Sequence, residues 1–180
     1  MRQGSRLWKW RNSCASLLPS PALHPAAVPK ALRVAGGAVS MTLRRKSREF
    51  ALQMLFEWDM TRRKPSLVEQ NFWKQARAAD STRKFANQLF EGAVSAADAS
   101  DKTVERLSEN WKLERLAAVD RSILRLAIYE LRFGTAPVKV VIDEALELAK
   151  KFSSADSPAF LNGILDAASK SVEEPRHAKK

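Results

Sequence analysis

The chain has 180 residues, 31 Lys or Arg against 20 Asp or Glu, a net charge of +11 and a single cysteine, Cys14. One thiol excludes a disulfide framework within the chain, and this length predicts one domain with a sizeable core. Residues 41–172 hold no Cys and no His, which excludes a thiol- or imidazole-ligated zinc site there and any Cys–His or Ser–His–Asp machinery.

The charge is uneven. Residues 1–40 carry six Lys or Arg and no acid, so they supply +6 and the other 140 residues supply +5. That balance fits a local basic patch better than a basic coat. Pro19, Pro21, Pro25 and Pro29 break any helix in this stretch. Its apolar runs are too short for a membrane span or a secretory core. Three readings fit residues 1–40: an organellar transit segment, a disordered basic tail, or an upstream extension with Met41 the true start. The last is preferred, because Met41 stands directly before the first periodic segment.

From Thr42 the pattern is helical almost without interruption. A first helix is expected over 42–60, with Thr42 as N-cap. Leu43, Ser47, Phe50, Ala51, Met54, Leu55 and Trp58 fall on one core-facing stripe. Arg44, Arg45 and Arg48 fall off that stripe and are expected to face water. Cations at a helix N-terminus oppose its dipole, at about 0.3–1 kcal/mol each. A bound polyanion would relieve this cost, and nucleic-acid phosphate is the obvious candidate. A plain solvated basic face is the alternative.

The polar break Thr61–Pro65 leads to a second helix over 66–78, with Leu67, Val68, Phe72, Trp73 and Ala76 inward. Asp80 or Ser81 is expected to cap a third, whose stripe runs Phe85, Ala86, Leu89, Phe90, Ala93, Val94, Ala97. Gly92 within it marks a close helix–helix approach. A fourth covers 99–109 and ends at Asn110 and Trp111. The fifth, 113–133, is the longest apolar one and the centre of the second half. Gly134 serves as its C′ residue, and Pro137 prevents continuation. Val138–Ile142 is the only β-like run, but it continues in helical register, giving a sixth helix over 138–152. Ser157 as N-cap and Pro158 at the first helical position open a seventh over 159–171. The tail from Val172 is polar. The fold class is all-α: about seven helices in two packed sub-bundles, with residues 41–172 as the domain, 1–40 the extension and 173–180 the tail.

Four segments together resemble one family, the NusB transcription antitermination factors. They are Arg44-Arg45-Lys46-Ser47-Arg48-Glu49, Val119-Asp120-Arg121 through Tyr129-Glu130-Leu131, Pro137-Val138-Lys139 through Leu148-Ala149-Lys150, and Asp156-Ser157 through Phe160-Leu161-Asn162-Gly163-Ile164-Leu165-Asp166. The resemblance spans about 41–170, and the order and spacing of the four make it specific. It implies a cytoplasmic bacterial binding module without cofactor or catalysis. Such a module takes boxA single-stranded RNA together with NusE, a small-subunit ribosomal protein, joins the RNA polymerase antitermination complex and supports ribosomal RNA transcription. It has no membrane role.

The resemblance carries Arg44, Arg45 and Arg48 onto RNA, with Lys46 as a further contact. It puts Asp156 near the RNA and Phe160 where it would stack on a base. Read from the residues alone, Asp156 is a helix-start acid and Phe160 is core. Where the family usually has His-Lys, this chain has Pro158 and Ala159, so a cation at the RNA edge is lost. Phe56, Glu114 and Asp120 match the NusE-facing surface, over which some members also form homodimers. Two other functions compete. One is an accessory domain like that at the front of ribosomal-RNA cytosine methyltransferases, although the α/β domain and catalytic cysteine of those enzymes do not follow here. The other is a helical adaptor whose basic patch is incidental.

Overall fold

The computed structural model describes residues 36–108, 115–133 and 136–177. Among them are seven helices and no strand: α1 (Gly36–Thr61), α2 (Pro65–Gln75), α3 (Asp80–Ser95), α4 (Ala97–Leu107), α5 (Ala118–Phe133), α6 (Val138–Phe152) and α7 (Ser157–His177). The all-α expectation holds, and the β-branched run Val138–Ile142 is the first turn and a half of α6.

Several boundaries differ. The first helix begins at Gly36, so Thr42 lies inside α1 and does not cap it. No proline stands between Pro29 and Pro65 to stop the helix earlier. The N-cap of α3 is Ala79, and Asp80 sits in the first turn, where its charge complements the helix dipole. The last helix runs on to His177, past the expected end at 171. Asn110, Trp111, Glu114 and Gly134 lie outside the described residues.

The links are short. Arg62 takes a left-handed conformation (φ 54°), and its N–H donates to the Trp58 carbonyl at 2.8 Å, closing α1. This is the usual helix-ending device, with an arginine where glycine is commoner. Three residues later Pro65 opens α2 at a position where the missing N–H costs nothing. A single residue, Ala96, separates α3 from α4.

Helices α1 to α4 form one group and α5 to α7 the other. Helix α5 packs on α1, α3 and α4 on one side and on α6 and α7 on the other. Its Ile123, Leu124, Leu126 and Ile128 are fully buried, with Leu52, Met54 and Leu55 of α1, Leu89 and Phe90 of α3, and Leu161 and Leu165 of α7. Each such side chain contributes about 1.5–3 kcal/mol. Phe50, Phe72 and Trp73 meet edge to face, with centroids 4.9–5.6 Å apart, and fasten α2 to α1. Gly92 is a close approach as expected: a Cβ there would strike the Tyr129 ring of α5.

Candidate nucleic-acid interface

The basic start of the periodic segment is carried by the third and fourth turns of α1, and its four cations have different fates. Arg44 is exposed and forms no ion pair among the described residues. Arg45 is about half exposed and gives two N–H groups to the Glu144 carboxylate of α6, the shorter at 2.7 Å. That hydrogen bond, with the charge behind it, holds the Arg45 guanidinium above its ordinary pKa. Lys46 reaches Glu49 at 3.1 Å and lies 4.8 Å over the Phe50 ring.

Arg48 does not face water. It is 3% exposed and makes a two-point pair with Glu130 of α5, Nε to Oε1 at 2.9 Å and Nη2 to Oε2 at 2.8 Å. The physical reason is register. Arg48 lies three residues before Ala51 and seven before Leu55, so it shares their inward face, and a buried guanidinium needs a carboxylate. Leu43 is corrected in the opposite sense. Placed on the core stripe by its spacing, it is 41% exposed. The dipole argument also changes. Arg44 is the ninth residue of α1 and no longer at its N-terminus, and the dipole's effect fades within the first turn. The case for an anion rests on the exposed charges themselves.

Helices α1 and α6 are joined by ion pairs more than by close backbone packing. Along this seam Glu144 receives Arg45 and stands 4.0 Å from Arg48. Further along, the Glu49 carboxylate accepts Lys46 through one oxygen and Lys151 of α6 through the other, at 2.6 Å. The three carboxylates of the seam, Glu49, Glu130 and Glu144, are all less than 10% exposed, while Arg44, Arg45, Lys46 and Lys151 keep surface to solvent. The positive ends face outward and the negative ends inward.

The seam leads to the loop between α6 and α7. Asp120, in the first turn of α5, accepts the Ser153 hydroxyl at 2.5 Å and the Ser157 hydroxyl at 3.0 Å. Ser157 in turn accepts the Ser154 hydroxyl at 2.7 Å. The hydroxyl expected to cap α7 is thus engaged by a buried carboxylate, which pins the loop. Asp156 is held exposed at the loop's turn. Phe160, one turn into α7, is half-buried and packs against the core.

Of the expected partner-facing residues, Phe56 is half-buried on α1. Asp120 is 8% exposed beneath the 153–157 loop, so it shapes that surface through the loop it holds. Nearby, Asp59 of α1 takes Arg121 and Arg125 of α5 and, from outside, Arg62. Burial pushes the Asp59 carboxyl up, but hydrogen bonds and charge from the two α5 arginines outweigh it and leave its pKa below the ordinary value. Arg125 bridges on to Asp101 of α4 at 2.6 Å.

Sequence reasoning missed the seam's carboxylates and Lys151. The signal was present: Glu144 lies between Val141 and Leu148 on the inward stripe of α6, and Glu130 beside Leu131 and Ala127 on that of α5. A carboxylate on a core stripe demands a cation. The described residues include no cluster of His, Cys, Asp or Glu that could hold a metal ion, and no helix long and apolar enough to cross a membrane. What the arrangement offers is a line of outward cations with an acid and an aromatic at one end, suited to binding a phosphodiester strand.

Residues 45–170 match the model of the NusB family. The chain is 44% identical over 138 residues to the transcription antitermination protein NusB of Koribacter versatilis (strain Ellin345), covering 76% of this chain and 94% of that one. It is 40% identical over 124 residues to the protein of that name from Thermoanaerobacter sp. (strain X514), covering 69% and 88%. Among solved structures, T. maritima NusB superposes with a TM-score of 0.64 at 34% identity, over 71% of this chain and 90% of that one. A chain from the crystal structure of antitermination factors NusB and NusE in complex with dsRNA superposes with a TM-score of 0.66 at 26% identity, over 73% and 98%. The fold, the basic segment on α1 and these matches lead to one conclusion: this chain belongs to the NusB family.

Proposed function

We propose that this protein is a transcription antitermination factor that binds boxA single-stranded RNA together with NusE and, in the RNA polymerase complex, supports ribosomal RNA transcription in the bacterial cytoplasm. The observation that carries this reading is the row of solvent-facing cations on α1, backed by inward carboxylates. Arg44 and Arg45 contact phosphate, with Lys46 beside them. Arg48 acts through the fold, as the buried strut that fixes the helix presenting the other three. Asp156 borders the RNA, and the half-exposed face of Phe160 takes a base. With Pro158 and Ala159 at the start of α7, this edge lacks the family's usual cation, so the affinity leans on α1. Phe56, Glu114 and Asp120 are assigned to NusE, a basic ribosomal protein that acidic residues attract. The role is binding, not catalysis.

The test is a fluorescence anisotropy titration of labelled boxA RNA and a scrambled RNA, with the protein alone and with NusE. Weak binding alone, tightened by NusE and selective for boxA, is the expected result. Equal affinity for both RNAs with no effect of NusE would contradict the reading.

A further inference from the structure

We propose that Lys151, paired with Lys46 over Glu49, is a phosphate-binding position that joins the α1 cations to the 153–157 loop. The inference rests on the RNA-binding reading above and adds a residue from the second sub-bundle. Glu49 is nearly buried, its side chain only 9% exposed, and each of its oxygens holds one lysine from a different helix, Lys46 at 3.1 Å and Lys151 at 2.6 Å. Both lysine side chains keep about a third of their surface to solvent. Two ammonium groups on one carboxylate leave one positive charge uncompensated, and an ammonium has three donors, of which the carboxylate takes one. An anion arriving from solvent meets free donors already fixed in place.

Position supports the same conclusion. Glu49 is one turn along α1 from Arg45, about 6 Å. Lys151 stands two residues before Ser153, where the loop carrying Asp156 begins. A strand running from Arg44 and Arg45 to Asp156 and Phe160 follows the α1–α6 seam and crosses this pair. Lys151 therefore supplies, from α6, a cation on the side of the site where Pro158 and Ala159 provide none. The neighbouring Lys150 is paired with Glu147 at 2.7 Å and not with Glu49.

The experiment measures boxA RNA affinity, with NusE present, against salt for the full chain and for Lys151→Gln, Lys151→Arg and Lys150→Gln. Each phosphate neutralised on a single strand contributes about 0.7 to the slope of log K against log salt. Lys151→Gln is expected to flatten the slope by about that amount, Lys151→Arg to restore it, and Lys150→Gln to leave it unchanged. Thermal melting of each variant separates loss of a contact from loss of fold. A folded Lys151→Gln with the parent slope, or an equal effect from Lys150→Gln, overturns the proposal while the RNA-binding reading stands. Failure of the unaltered protein to bind boxA RNA overturns both.

Discussion

Arg44 and Arg48 sit one turn apart on α1, yet one ends in solvent and the other in the core. The outward position of Arg44 was legible from the sequence. Arg48 instead shares the inward face of Ala51 and Leu55 and is buried, against the outward position expected for it. Breaking a buried ion pair by removing one partner costs about 3–5 kcal/mol, since the other charge stays buried. Arg48→Ala should therefore lower stability by about that amount in urea unfolding, whereas Arg44→Ala should leave the midpoint in place. A second residue-scale expectation concerns Glu69 of α2. Burial raises its carboxyl to a pKa of about 7, the nearby charge of Glu91 adds to the rise, and Arg83 opposes it. Its Oε1 is buried without a partner, while Asn87 donates to Oε2 at 3.3 Å. The ordinary value is 4.5, so between there and about 7 the folded state holds more proton than the unfolded. Stability then falls as pH rises through that window. Melting curves of Glu69→Gln should be flatter across the window, and the variant should melt above the parent at pH 8. A steeper dependence in the variant would contradict this assignment.

At the scale of elements, apolar spacing located all seven helices; the fifth, expected over 113–133 as the longest and the centre of the second half, is α5, which begins at Ala118 and is shorter than α1 and α7. Boundaries were less legible. Capping residues mark where a helix can start, but Thr42 stands inside α1 and the Ser157 hydroxyl is engaged elsewhere. Ser157 serves Asp120, 37 residues away, and a contact that distant in sequence leaves no local signature. Gly92 is a case where local reading sufficed. Replacing it by Ala favours the helix by about 1 kcal/mol but forces a Cβ into Tyr129, an overpacking cost of about 1–3 kcal/mol. Gly92→Ala should be destabilised by up to about 2 kcal/mol. Combining it with Tyr129→Leu, which removes the ring edge, should recover part of the loss in the same denaturation assay. Additive losses would show that the two side chains do not compete for this space.

At the scale of the molecule, two sub-bundles meet along α5, and polar side chains finish the junction: Arg48 with Glu130, Arg125 between Asp59 and Asp101, and the α1–α6 seam. The sub-bundles were legible as apolar stripes. The ionic junction was not, because each pair joins residues from different segments. This junction makes the proposed binding surface a product of the whole fold, with α1 supplying cations and Glu49, α5 supplying Glu130, and α6 supplying Glu144 and Lys151. The measurement that tests the account most directly is the salt dependence of boxA RNA binding, with NusE, by the Arg44→Ala/Arg45→Ala double variant. Two lost phosphate contacts should flatten the slope of log K against log salt by about 1.4 with the fold intact by circular dichroism. An unchanged slope in a folded double variant would contradict the claim that the outward cations of α1 are the RNA-binding surface.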